Sequence, residues 1–182
     1  MSNLQSDALV FFGATGDLAY KKIFPALQGM VKRGHLNAPV IGVAKSGWNL
    51  EQFRARAYDS LEKHGGVDPA AFEKLCGLLR YVDGDYQDRA TFAALRKELG
   101  RAERPAHYLA IPPFLFGAVV EQLAKSGCAK GARVIVEKPF GRYLESAREL
   151  EQQQRPQRGE PPRFQASRQH TCQTERQDED WD

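Results

Sequence analysis

Apolar residues recur along the first 150 positions in two alternating rhythms: short continuous runs, and longer stretches with a single apolar face. This alternation predicts strands separated by amphipathic helices. Ala8 to Phe12 reads as a buried strand, and Asp17 to near Arg33 as a helix that closes before Gly34. Pro39 to Ala44 gives a second strand. Asn49 to His64 then place Leu50, Phe53, Ala57 and Leu61 on one helical face, and Asn49 with Gln52 has the form of a capping box. Asp68-Pro69 supplies an N-cap and a first-turn proline for a helix running to Leu79. A third strand is expected over Leu79 to Asp83, and Asp88 can cap a helix from Ala90 to Leu99. Ala106 to Ile111 reads as a fourth strand stopped by Pro112-Pro113, which cannot continue a ladder. Phe114 to Lys125 is helical and ended by Gly127, Ala132 to Glu137 forms a fifth strand, and a last helix containing Ser146 fades near Gln152. The expected fold is α/β, a doubly wound parallel sheet with right-handed connections.

The chain changes character near Leu150. Residues 151–182 contain eight glutamines and only four apolar residues, Phe164, Ala166, Cys172 and Trp181. Such a segment buries too little surface to offset its ordering entropy, so residues 1–150 read as one domain and 151–182 as a disordered tail.

Ligands of doubly wound sheets sit beyond the carboxyl ends of the strands, so the residues that end each strand carry the functional information. The first strand runs into Gly13-Ala14-Thr15-Gly16-Asp17-Leu18, with Ala19 at a third small position. Gly13 permits a tight exit, Gly16 lets backbone approach a phosphate, and the helix that follows offers unpaired N–H groups and a positive dipole end. This is the Rossmann-like arrangement for a dinucleotide pyrophosphate. A phosphate loop for nucleoside triphosphates is excluded, because Lys21 and Lys22 lie too far into the helix. The second strand ends at Lys45-Ser46, where an NAD-selective domain usually has an acidic residue; a cation and a hydroxyl there suit the 2′-phosphate of NADP. Strand three leads into Gly84-Asp85-Tyr86, and strand five into Glu137-Lys138-Pro139. Lys138 is placed to reach a phosphate or a sugar hydroxyl, with Glu137 as its charge partner.

Other chemistry is poorly represented. Cys76, Cys128 and Cys172 are scattered and odd in number, so neither a disulfide framework nor a metal site is encoded. A net charge of +3, with basic and acidic residues interleaved, gives no nucleic-acid footprint. No apolar run would span a bilayer, and a soluble cytoplasmic protein is expected. The acid/base pair of a small complete reductase, Tyr-x-x-x-Lys, is absent; Tyr81 and Asp85 have its spacing but not its chemistry.

The motifs G-A-T-G-D-L-A-Y-K-K, V-I-G-V-A-K-S, Y-L-A-I-P-P and V-I-V-E-K-P-F-G-R occur in that order, and together they resemble the coenzyme-binding half of the glucose-6-phosphate dehydrogenases over residues 8 to about 150. The resemblance implies oxidation of glucose 6-phosphate at C1 to 6-phosphoglucono-lactone with NADP as hydride acceptor, at the entry to the pentose phosphate pathway. It also implies that Gly13 to Tyr20 form the pyrophosphate turn and that Lys45 replaces the family's usual arginine at the 2′-phosphate. Asp85 and Tyr86 are implied as adenine-side contacts, Pro112 and Pro113 as the nicotinamide side, Lys138 as a contact to coenzyme and sugar phosphate, and Lys22 as a lysine near the substrate entrance. Phe114 and Tyr143 depart from the pattern, standing where a small polar and an acidic residue are expected. The family's R-I-D-H-Y-L-G-K segment and the domain carrying its histidine base do not occur in the sequence. His170, in the tail, has no placed acidic partner. The expectation is therefore a coenzyme domain that is inactive alone, without the family's dimer contacts, and with a tail of the kind a shifted reading frame produces. A non-catalytic dinucleotide-binding module or subunit is the competing reading.

Overall fold

Five parallel strands are ordered so that Ala8–Phe12 (β1) lies at the centre of the sheet, between Val40–Ala44 (β2) and Pro105–Leu109 (β4). Among the described residues Leu79–Asp83 (β3) and Arg133–Val136 (β5) form the two edges. This computed structural model describes residues 5–137, so the helix expected at Ser146 and the segment 151–182 lie outside the described residues. Phe24–Lys32 (α1), Leu50–His64 (α2) and Pro69–Leu78 (α3) cover one face of the sheet, while Arg89–Leu99 (α4) and Phe116–Lys125 (α5) cover the other.

Side chains alternate across a strand, so β1 feeds both cores. Phe11 packs with Phe24, Leu27, Phe53 and Leu75, whereas Val10 and Phe12 pack with Ile41, Phe92, Leu95 and Val119. Helices α2, α3 and α4 start within a residue of where the sequence predicts. Asn49 and Gln52 form a reciprocal capping box, each bond 2.9 Å. Asp68 accepts from the Ala71 N–H at 3.0 Å, and Asp88 from the Ala90 N–H at 2.9 Å. Pro105 opens β4 opposite Ala8, a position that a proline tolerates because it needs no donor at the first residue of a strand. After β4 the chain makes a 3₁₀ turn, Pro113–Leu115, before α5 begins at Phe116, two residues later than the periodicity implies.

The first predicted helix holds a departure with a traceable cause. Ala19–Ile23 form a π-helical turn, in which the Phe24 N–H donates to Ala19 O, and α1 follows from Phe24. Pro25 is responsible: its ring would clash with the carbonyl four residues back in an uninterrupted helix, and a widened turn relieves that clash. In the widened register the Tyr20 carbonyl would look to residue 25, which has no N–H. Ser60 of α2, fully buried, donates its hydroxyl to Tyr20 O instead. We expect Ser60→Ala to lower stability by about 1–3 kcal/mol, the cost of a buried carbonyl left unpaired. The loss should be smaller in a Pro25→Ala background, where an N–H returns; chemical denaturation of the four variants measures this, and equal losses in both backgrounds would refute the account.

Candidate functional site

At the carboxyl end of the sheet, β1 and β4 send their connections to opposite faces, and the Gly13–Leu18 turn sits over that point. Gly13 has φ +82°, and a Cβ on it would stand 2.2 Å from the carbonyl oxygen of Ala110. The turn is anchored from below: the N–H groups of Gly13 and Ala14 donate to Val43 O at 3.0 and 3.2 Å, and the Gly16 N–H donates to Gly13 O at 3.0 Å. Tyr86 reaches under it, its hydroxyl accepting from the Gly13 N–H at 2.9 Å and donating to Val43 O at 3.2 Å. Burial pushes the Tyr86 phenol up from its ordinary value, so it stays a neutral pin. Asp17 and Leu18 lie in the first helical turn, where N–H groups have no intrahelical acceptor. The Asp17 carboxylate pairs with Lys21 at 2.9 Å on the exposed side.

Beside this turn the ends of β2 and β3 build a second polar cluster. Ser46 links Thr15 Oγ1 at 3.0 Å to the Tyr81 hydroxyl at 3.2 Å. Asp83 Oδ1 accepts from the backbone N–H groups of Ser46 and Gly47, each at 2.9 Å, and from the Tyr81 hydroxyl at 3.1 Å. The Ser46 N–H foremost holds the Asp83 carboxyl below the usual carboxylate range, while burial above all lifts the Tyr81 phenol to about 12. Lys45 Nζ pairs with Asp85 Oδ2 at 2.8 Å, which lowers the Asp85 carboxyl and raises the Lys45 ammonium from their ordinary values. The other Asp85 oxygen accepts from the Gln87 N–H at 2.9 Å.

The structure thus gathers Gly13, Ala14, Thr15, Gly16, Asp17, Leu18, Lys45, Ser46, Asp85 and Tyr86 at one edge, with exposed Pro112 and Pro113 following β4. Lys22 is exposed in the π-helical turn. Lys138, the Lys138-Pro139 bond and Tyr143 lie outside the described residues. Glu137 accepts a hydrogen bond from the Tyr108 hydroxyl, and burial together with that carboxylate raises the Tyr108 phenol. Phe114 is 82% exposed beside the two prolines. Among the described residues no histidine is hydrogen-bonded to this cluster. His107 is enclosed within β4, donating from Nε2 to Cys128 O at 2.9 Å, with burial holding its pKa low. His35 follows α1 on the way to the start of β2, and His64, at the end of α2, packs edge-on against the Tyr20 ring, 5.1 Å between centroids.

Three residues were missed by the sequence reading. Tyr81 and Asp83 lie two apart on β3, so period two puts them on the same face, and that spacing was the available signal. Gly42 of β2 has no such signal: a Cβ there would stand 2.4 Å from the Phe53 ring and 2.8 Å from Ala14 Cβ, so the absence of a side chain lets the turn and α2 pack together.

Central glycine turn, unpaired helix donors and a cation at the neighbouring strand define a Rossmann-like dinucleotide-binding domain. The family described as "Glucose-6-phosphate dehydrogenase, NAD binding domain" matches residues 10–161. Glucose-6-phosphate 1-dehydrogenase 1 of Mycobacterium bovis is 43% identical over 145 residues, covering 80% of this chain and 31% of its own length. The crystal structure of glucose-6-phosphate 1-dehydrogenase from Mycobacterium avium superposes with a TM-score of 0.75 at 43% identity, covering 82% of this chain and 33% of that one. A glucose-6-phosphate dehydrogenase solved in complex with glucose-6-phosphate gives 0.70 at 34% identity, over 84% of this chain and 35% of that one. The chain belongs to the glucose-6-phosphate dehydrogenase family and corresponds to its dinucleotide-binding domain. It spans about a third of the length of the curated relatives it matches. No helix among the described residues is long and apolar enough to cross a membrane.

Proposed function

We propose that this chain binds NADP at the Gly13–Leu18 turn as the coenzyme half of a cytoplasmic enzyme that oxidises glucose 6-phosphate at C1 to 6-phosphoglucono-lactone. The observation that carries this reading is the turn itself, with φ +82° at Gly13, its anchoring to Val43 and Tyr86, and helix donors directed past it. NADP, when bound, supplies the acceptor for the C1 hydride. The chain's own part is to hold and orient. Asp17 and Leu18 N–H groups take the pyrophosphate, Thr15 and Ser46 hydroxyls with Lys45 face the 2′-phosphate, and Asp85 and Tyr86 flank the adenine. Pro112 and Pro113 wall the nicotinamide side, and Lys138 and Lys22 address the sugar phosphate. Lysine at position 45 carries the charge of an arginine without its bidentate fork, which narrows the margin for NADP over NAD.

The C1 hydroxyl proton has to leave as the hydride does, and a positioned base typically contributes about 10²- to 10⁴-fold. No histidine of the described residues is hydrogen-bonded to a carboxylate at the site, so the chain alone is expected to reduce no NADP in the presence of glucose 6-phosphate. Binding is tested separately by thermal unfolding of the purified chain with each dinucleotide. Ligand at about a hundred times its dissociation constant adds about 2.7 kcal/mol of stability, read as a raised melting temperature. A larger rise with NADP than with NAD supports the reading, and a cooperative transition indifferent to both would overturn it.

A further inference from the structure

The Lys45–Asp85 pair raises a question that the coenzyme reading leaves open: what does the cation do before a phosphate arrives? Three charged side chains stand at the ends of β2 and β3. Lys45 is the cation, and Asp83 and Asp85 are the anions, so the local sum is one negative charge before any ligand enters. Asp83 is committed to the fold, because one of its oxygens takes the Ser46 and Gly47 N–H groups and the Tyr81 hydroxyl. Those two N–H groups belong to a loop with Gly47 at φ +67°, and they would otherwise be donors for an anion. Asp85 differs: it touches Lys45 through one oxygen and caps only the Gln87 N–H with the other.

We propose that Asp85 is a specificity-determining residue, an internal anion that occupies Lys45 in the free protein and that the 2′-phosphate of NADP has to displace or share. The proposal rests on the coenzyme reading above. Lysine has three donors on one nitrogen, and one of them is already directed at Asp85. A phosphate brought to the same nitrogen sits within contact range of the Asp85 carboxylate, and like charges at that distance repel. NAD brings only a ribose hydroxyl, which can donate to a carboxylate, so Asp85 subtracts from NADP binding without subtracting from NAD binding. Wild-type chain should therefore separate the two coenzymes weakly, and the restraint lies in the aspartate as much as in the choice of lysine over arginine.

The test is Asp85→Asn, which keeps an oxygen for the Gln87 N–H and removes the charge. Dissociation constants for NADP and NAD, and for adenosine 2′,5′-bisphosphate against adenosine 5′-phosphate, are measured by calorimetry on wild type, Asp85→Asn, Lys45→Met and the double variant. A coupling of roughly five- to tenfold is expected, as a higher ratio of affinity for the two 2′-phosphate ligands over their counterparts lacking that phosphate, carried by tighter binding of the phosphorylated pair. The gain should shrink as salt rises, and the part of it that comes from competition for the ammonium should be lost when Lys45 is also Met. An unchanged NADP-to-NAD ratio in Asp85→Asn, or weaker NADP binding, overturns the proposal and leaves the coenzyme reading standing. A ratio that rises only because NAD binds worse also overturns it, since Asp85 would then be a ribose ligand. A folded wild-type chain that binds none of the four ligands overturns the coenzyme reading and this proposal together.

Discussion

Gly13→Ala is expected to lower the melting temperature by about 10 °C and to weaken NADP binding by about a hundredfold. Two costs combine at this position. A non-glycine residue at φ +82° carries left-handed strain, about 1–2 kcal/mol, and its Cβ would stand 2.2 Å from the Ala110 carbonyl oxygen, where neither backbone can yield without moving a strand end. Overpacking of that kind typically costs about 1–3 kcal/mol, so a total of about 2–5 kcal/mol is anticipated, which a domain of ordinary stability survives. The binding loss has a separate origin. The turn is held by the Gly13 and Ala14 N–H groups on Val43 O and by the Tyr86 hydroxyl, so a shift at Gly13 moves the first-turn donors away from the pyrophosphate. Losing one or two charge-assisted hydrogen bonds, each worth about 1.5–3 kcal/mol, accounts for the hundredfold. Thermal unfolding gives the first quantity and titration of the folded variant, well below its transition, gives the second. Parent-like values for both would show that the turn tolerates a side chain and that its geometry differs from the one described.

The other large effect belongs to Phe53. Its ring is fully buried in α2's packing on the sheet, 6.1 Å from the Phe11 ring, 5.5 Å from Phe24 and 4.9 Å from Tyr81 between centroids. Phe53→Ala should cost about 3–5 kcal/mol, combining lost transfer energy with the cavity left behind. Equilibrium denaturation with urea would read this as a lowered midpoint at constant slope. A second arm checks the geometry. Gly42→Ala should cost about 1–3 kcal/mol in the parent, because its Cβ meets the Phe53 ring tip, and clearly less with Phe53→Leu, where that tip is gone. Strict additivity of the two changes would mean that Gly42 and Phe53 do not share the space assigned to them. Phe53 also stacks on Tyr81, whose hydroxyl joins Ser46 and Asp83, so the aromatic core and the polar cluster at the second strand are mechanically continuous.

Much of this was legible because local rules and tertiary packing agree. All five strands lie within a residue or two of the apolar runs that predict them, and each of Asn49, Asp68 and Asp88 caps the helix it was assigned. Glycine at position 13 announced the turn, since a positive φ at a strand exit has few other solutions. What sequence hid was of two kinds. The π-helical turn at Ala19–Ile23 depends on Pro25 and on a serine from another helix, and no periodicity within one segment contains both. The polar cluster depends on pairs far apart in the chain: Lys45 with Asp85, Ser46 with Asp83 and with Thr15. Lys45 read alone is a cation awaiting a phosphate; only the fold reveals the carboxylate already beside it. Gln28 is another such case, buried between α1 and the loop before α3, where it donates to Gly66 O at 2.9 Å and accepts from the Asp68 N–H at 3.0 Å.

The central position of β1 has a consequence for how the chain comes into being. Its second neighbour, β4, begins at Pro105, and the clasp that sets their register is Asp7, accepting from the Glu103 and Arg104 N–H groups at 2.8 and 2.9 Å. During synthesis, β1, β2 and β3 are made before that clasp exists, leaving β1 as an open edge next to water. Gly13 has no Ala110 carbonyl to lie against at that stage, so the phosphate turn, already held by Val43 and Tyr86, gains its last wall only when β4 docks. Coenzyme present on the ribosome would therefore meet an unfinished site until β4 docks, and its capture would act as a latch on that strand.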